Sequence, residues 1–317
     1  MSKYTPGTAN YVRTDAGNKT CERCYPVIFN VPATKALAAS ANGVMAATNL
    51  GAAVQTITTG ITSPAAPRAL SIVGNVSGIT GNVVVVGTNY AKEVITETLA
   101  LNGTTTVHGA KAFKTVTSVA LPVQVHAPVA QVETATAAGT VSTTGNASVV
   151  VTAAGMTGSP KTIAVPVVEN DNAAAIALAI RTVLAADAAV IALFTVGGAT
   201  DKVILTRKAP AANDTSLNIA IADGTGEGAS VGVTTAASSA NTTAGVPYDI
   251  VSVGWNDKLG LPYQLTRNTV IPGMTFLDNT KEATEPTVTV STTALESNTI
   301  DLNSALDGTE VNVYLVV

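Results

Sequence analysis

The chain has 317 residues, 12% of them charged and 46% apolar, with a formal net charge of −4. That length supports two domains and a substantial core, and so apolar a composition excludes disorder of the polyelectrolyte kind. Charge this sparse, with no Lys/Arg cluster to neutralise a row of phosphates, argues against direct nucleic-acid binding. The surface is expected to be rich in neutral Thr, Ser, Asn, Gly and Ala.

Residues 1–32 carry Pro6, Gly7, Gly17, Pro26 and Pro32 without sustained periodicity and read as an extended N-terminal arm. The start lacks the charged and apolar regions of a signal peptide, which points to synthesis in a cytoplasm. The arm holds the only two cysteines, Cys21 and Cys24. One such pair supplies two of the four ligands of a closed zinc site, and His108 and His126 lack ligand spacing. Cys21 and Cys24 are therefore weak metal candidates, better read as structural or free thiols. No cofactor is indicated.

Residues 33–59 are Ala/Thr-rich, and the stretch 36–47 reads as a loop or short helix leading into a strand at 54–59. Pro64 and Pro67 then precede an alternating strand at 69–73. Residues 79–119 follow with short β-branched runs at 83–86, 94–101, 104–107 and 113–119, separated by Gly87-Thr88-Asn89, Asn102-Gly103 and Gly109. Runs of strand length between turn signals predict an antiparallel meander. Within it Glu93, Ile95 and Glu97 share a face, and the two acids read as a solvated surface rather than an acid/base pair.

The texture changes between about 129 and 246, which reads as a small α+β domain inserted into a β host. Its main helix starts at an Asn170 or Asp171 cap and carries a stripe of Ile176, Ile180, Val183 and Leu184. Strands are expected at 147–152, 161–168, 202–207 and 217–222. Gly224-Thr225-Gly226-Glu227-Gly228 reads as a flexible loop, because no helix start or Gly-Lys-Ser/Thr follows it. Arg181, Arg207, Lys208 and Lys161 make only a diffuse positive patch.

β texture resumes after Pro247, with Trp255 as a corner anchor or, alternatively, a carbohydrate platform. The chain ends on the apolar VNVYLVV, which must pair into a sheet. The fold expected is mainly β: an antiparallel sandwich or barrel host of residues 33–128 plus 247–317, an insert of 129–246 with one main helix, and the arm.

Several stretches resemble virion proteins of tailed bacteriophages: residues 61–122, VSVGWNDKLGLPY, and the ending NTIDLNSALDGTEVNVYLVV. The insert, with TAAGMTGSPKTIAVPV, AIRTVLAAD and SANTTAGV, resembles an accessory module of phage structural proteins. The resemblance covers most of residues 45–317 and brings no catalytic residues. It implies a non-enzymatic structural component of the virion, first a capsid decoration or cement protein on the outside of the major capsid protein lattice. The implied partners are the major capsid protein and copies of the chain itself in a homotrimer; no membrane is expected, because no run of eighteen or more apolar residues occurs, the Ala-rich stretch 173–192 being broken by Arg181 and Asp187. Tyr4, Tyr11, Arg13 and Tyr25 of the arm are its expected lattice contacts, and residues 129–246 its contact with a host surface. A tail-tube or tail-associated protein and a host- or glycan-binding adhesin are the rival roles.

Overall fold

The computed structural model describes residues 11–13, 20–22 and 26–316. The protein is mainly β, and every named strand pair is antiparallel. The chain divides into two compact units, one of Met1–Val125 with Asp249–Val317 and a central one of His126–Tyr248.

The split unit opens with β1 (Tyr11–Arg13) and β2 (Thr20–Glu22), which pair as a ribbon. The next strand, β3 (Pro26–Val31), lies within the stretch expected to be arm. It instead forms an edge of a four-stranded sheet, because Phe29 and Val31 are buried while Ile28 and Asn30 face out, the alternation of a half-buried strand. A second correction concerns residues 36–47. They hold no helix but lead into β4 (Ser40–Asn49), where pairing with a partner strand overrides the helical preference of alanine.

β5 (Gln55–Ile57), β6 (Arg68–Gly74), β7 (Asn82–Thr88), β8 (Val94–Ala100), β9 (Val107–Phe113) and β10 (Thr115–Leu121) follow. Residues 79–119 are not one meander. β7 and β8 form a hairpin joined by β10 and then β5, whereas β9 crosses to β6 in another sheet. The run expected at 104–107 is mostly turn, and the strand begins at Val107. Val83, Val85, Ile95, Leu99, Val116 and Val119 face Leu70, Ile72, Val251 and Val253 across a sandwich core.

The central unit contains β11 (Val132–Thr136), β12 (Gly145–Thr152) and β13 (Lys161–Val167), then α1 (Ala173–Ala186) and α2 (Ala188–Leu193). β14 (Phe194–Gly197), β15 (Lys202–Arg207), β16 (Asn218–Gly226), β17 (Ala229–Ser230) and β18 (Ala240–Thr243) complete it. Two sheets, β14-β15-β11-β18 and β13-β12-β16-β17, enclose one core with Ile176, Ile180 and Leu184 of α1. The helix cap is Asn172, not Asn170 or Asp171. Its Oδ1 accepts from the N–H groups of Ala174 and Ala175, each at 3.1 Å. Asp187 ends α1 and caps α2, and its bond to Lys161 holds its carboxyl below the usual range. The Gly224–Gly228 region is also corrected: β16 and β17 form a hairpin there. A Cβ at Gly224 would lie 1.7 Å from the carbonyl oxygen of Asn146, so glycine permits strand contact rather than a phosphate cradle.

The split unit then resumes with β19 (Ile250–Gly260), β20 (Val270–Leu277), β21 (Thr280–Lys281), β22 (Thr287–Thr289), β23 (Thr299–Asp301) and β24 (Val311–Val316). The apolar terminal strand β24 lies between β20 and β3. β19 carries Val251, Val253 and Trp255 into the sandwich core, then Leu259 into a second core with Phe29, Val311 and Leu315. Its register slips between Trp255 and Leu259, and the buried Arg68 fills that irregularity. The guanidinium donates to the carbonyl of Asn256 at 2.7 Å, to that of Leu37 at 2.5 Å and to Asp257 Oδ1 at 2.9 Å.

Candidate functional site

The sheet β5-β10-β7-β8 has one face in the core, and period-two alternation sets the residues of the other. On that outer face Val84 and Val86 stand opposite Thr98 and Thr96, and Ala120 and Ser118 continue it on β10. Thr56, Thr88, Val94, Ala100 and Thr115 extend it, and none of these side chains is charged. Thr88 and Thr115 join their hydroxyls across the strands at 2.7 Å. At the margin Val94 is 76% exposed on β8, the end strand of this sheet. A neutral face ending on a strand edge is suited to protein contact.

A cleft of about 320 Å³ adjoins the face at Thr115. Four consecutive residues, Phe29, Asn30, Val31 and Pro32, line it. Their side chains alternate in direction, so the cleft runs along the edge of β3. Tyr90 and Lys114 line it as well, with the ammonium 5.2 Å from the ring centroid. Together the face and the cleft offer neutral hydroxyls, exposed valine, an aromatic ring, two lysines and a strand edge unpaired among the described residues.

The residues singled out in the sequence are distributed differently. Trp255 is only 8% exposed; its Nε1 donates to the carbonyl of Ala38 at 3.1 Å, and its ring packs over Gly43, where a Cβ would come within 2.7 Å. The ring is thus a core anchor and not an open sugar platform. Glu97 corrects the solvated-face reading. It is 9% exposed, and its Oε1 accepts from the N–H groups of Ala110 at 2.6 Å and Lys111 at 3.2 Å. Burial pushes its carboxyl above the ordinary range, against the opposing pull of those donors and of Lys111 and Lys258. Burial likewise raises Glu133, whose Oε1 accepts from Ser239 at 2.5 Å.

Cys21, Tyr11 and Arg13 lie on β1 and β2, while Tyr4, Cys24 and Tyr25 fall outside the described residues. Among the described residues no three His, Cys, Asp or Glu side chains gather as metal ligands. The expected positive patch is largely committed within its own unit: Lys161 pairs with Asp187, Arg181 donates to the Lys202 carbonyl, and Lys208 donates to that of Ile191. A polar cleft of about 330 Å³ at the β19 bulge is lined by His108, Asn256, Asp257, Lys258 and Asp301. Asp257 is already engaged with Arg68 there, and burial brings the guanidinium down to about 10, still charged at neutral pH.

The sparse charge of the chain is legible in its composition, but not that neutral side chains of residues 79–119 gather on one face. The alternation of Val94, Thr96, Thr98 and Ala100 with Ile95, Glu97 and Leu99 carries that signal. No family model matches the chain, and neither a curated protein nor a solved structure does.

Proposed function

We propose that this chain is a structural protein of a tailed-phage virion, a decoration or cement protein that binds the outside of the capsid lattice and acts by contact rather than catalysis. The observation that carries this reading is the uncharged outer face of β5-β10-β7-β8 with its open β8 margin. A protein repeated over a symmetric shell needs surfaces that seat on neighbours without leaving buried charges unpaired. Valine and threonine side chains meet that need through apolar area and neutral hydrogen bonds. The resemblance of residues 61–122 and of the chain's ending to phage virion proteins supports the same role, with the major capsid protein and further copies of the chain as partners.

Thr96→Lys combined with Thr98→Lys tests it. Each places an ammonium on the exposed side of an edge strand, which the fold tolerates, but neither can enter a dry interface unpaired. Co-sedimentation with capsids lacking the protein is expected to fall roughly 30-fold or more, the equivalent of about 2 kcal/mol, with the melting temperature nearly unchanged. Undiminished co-sedimentation, or assembly of the purified wild type into rings or tubes, counts against a decoration role.

A further inference from the structure

Glu296, in the short 3₁₀ turn Leu295–Ser297, extends one carboxylate oxygen to each of two different groups. Its Oε1 lies 3.4 Å from Lys111 Nζ, and its Oε2 accepts from Asn89 Nδ2 at 3.4 Å. Asn89 is fully buried at the end of β7. The second hydrogen of its amide goes to Glu93 Oε2 at 2.8 Å, and its Oδ1 accepts from the Glu93 N–H at 3.0 Å. A neutral amide therefore sits between two carboxylates, with its carbonyl polarised by a backbone donor and a lysine amine on one of those carboxylates. The base of Lys111 is fixed as well, since its own N–H donates to the buried Glu97.

We propose that Lys111 and Asn89 form an intramolecular isopeptide bond. Glu296 takes a proton from the Lys111 ammonium, and the freed amine attacks Cγ of Asn89. The Nζ–Cγ bond forms as negative charge develops on Oδ1, where the Glu93 N–H stabilises it. The carboxyl of Glu296 returns the proton to Nδ2 and the Cγ–Nδ2 bond breaks; Nζ then gives up a second proton through the Glu296 carboxylate to the departing ammonia, so that a neutral amide remains and ammonium leaves. One amide replaces another, so no oxidant, metal or co-reactant is needed. The bond ties the end of β7 in one sheet of the sandwich to β9 in the other, a covalent brace between layers otherwise held by the core.

The test is intact-mass spectrometry of the full chain after incubation at physiological temperature, followed by sequencing of its proteolytic fragments. The wild type is expected about 17 Da lighter than its sequence, the mass of ammonia, with fragments containing Asn89 and Lys111 joined. Lys111→Arg and Glu296→Gln are expected at full mass. A wild type that stays at full mass overturns the proposal. So does an equal loss in Lys111→Arg, which would indicate ring closure at an Asn-Gly site such as Asn102-Gly103. Linkage in Glu296→Gln at the wild-type rate removes the role given to that carboxylate.

Discussion

The carboxyl of Glu97 lies between sheets, with Oε1 satisfied by two backbone donors and Oε2 buried with no partner among the described residues. Burial raises its pKa, so the folded state holds its proton more tightly than the unfolded chain. The stability it contributes is complete below the unfolded value and is lost as pH rises through the folded one. Glu97→Gln keeps the acceptor and cannot ionise. Its melting temperature is expected to match the wild type near about pH 4 and to exceed it increasingly toward about pH 8. A constant difference across that range, measured by thermal melts in matched buffers, contradicts the assignment. Strand alternation placed Glu97 beside Ile95, and the Ile95–Glu97–Leu99 register marks the buried side; two acids at that spacing suggested the opposite. Trp255 anchors the core from within a strand rather than from a corner, for a related reason: turn-prone neighbours signal a bulge inside a strand as well as a corner.

Among the elements, α1 is the clearest case of a pattern that fixes type but not boundary. The stripe of Ile176, Ile180 and Leu184 identifies the helix, while the run of polar residues before it leaves the start open, so that the cap read as Asn170 or Asp171 lies one or two residues early. The structure distinguishes them. Asn172 caps two N–H groups, whereas Asn170 sits at φ +71°, a backbone conformation that glycine adopts without strain. Asn172→Ala is expected to cost about 1 kcal/mol, and Asn170→Gly to be neutral or stabilising by up to about 1 kcal/mol. Denaturant unfolding monitored on the central unit checks both, and equal losses at the two positions would refute the cap. The misreading of residues 36–47 has another origin: alanine propensity is local, while the β4–β19 pairing joins residues about two hundred positions apart and has no local sequence mark.

For the whole molecule, the change of texture near 129 and 246 reflects a physical division. Within the split unit the chain ends that flank the central unit are held together: the Val125 N–H donates to Asp249 Oδ2 at 2.7 Å, and the Leu50 N–H donates to the Asp249 carbonyl at 2.7 Å. Within the central unit Val129 and Val246 exchange both backbone hydrogen bonds at 2.9 Å, closing its own ends. Among the described residues, neither core of the split unit draws a residue from 126–248, and the core of the central unit draws none from outside it. Loop closure across such neighbouring ends costs little, so each unit can form without the other. Replacing residues 126–248 with a short Gly/Ser linker is expected to leave a cooperatively melting protein that keeps the near-UV signal of Trp255. Residues 126–248 expressed alone are expected to melt cooperatively as well. Collapse of either piece into a state with far-UV but no near-UV signal would show that the two units depend on each other for packing.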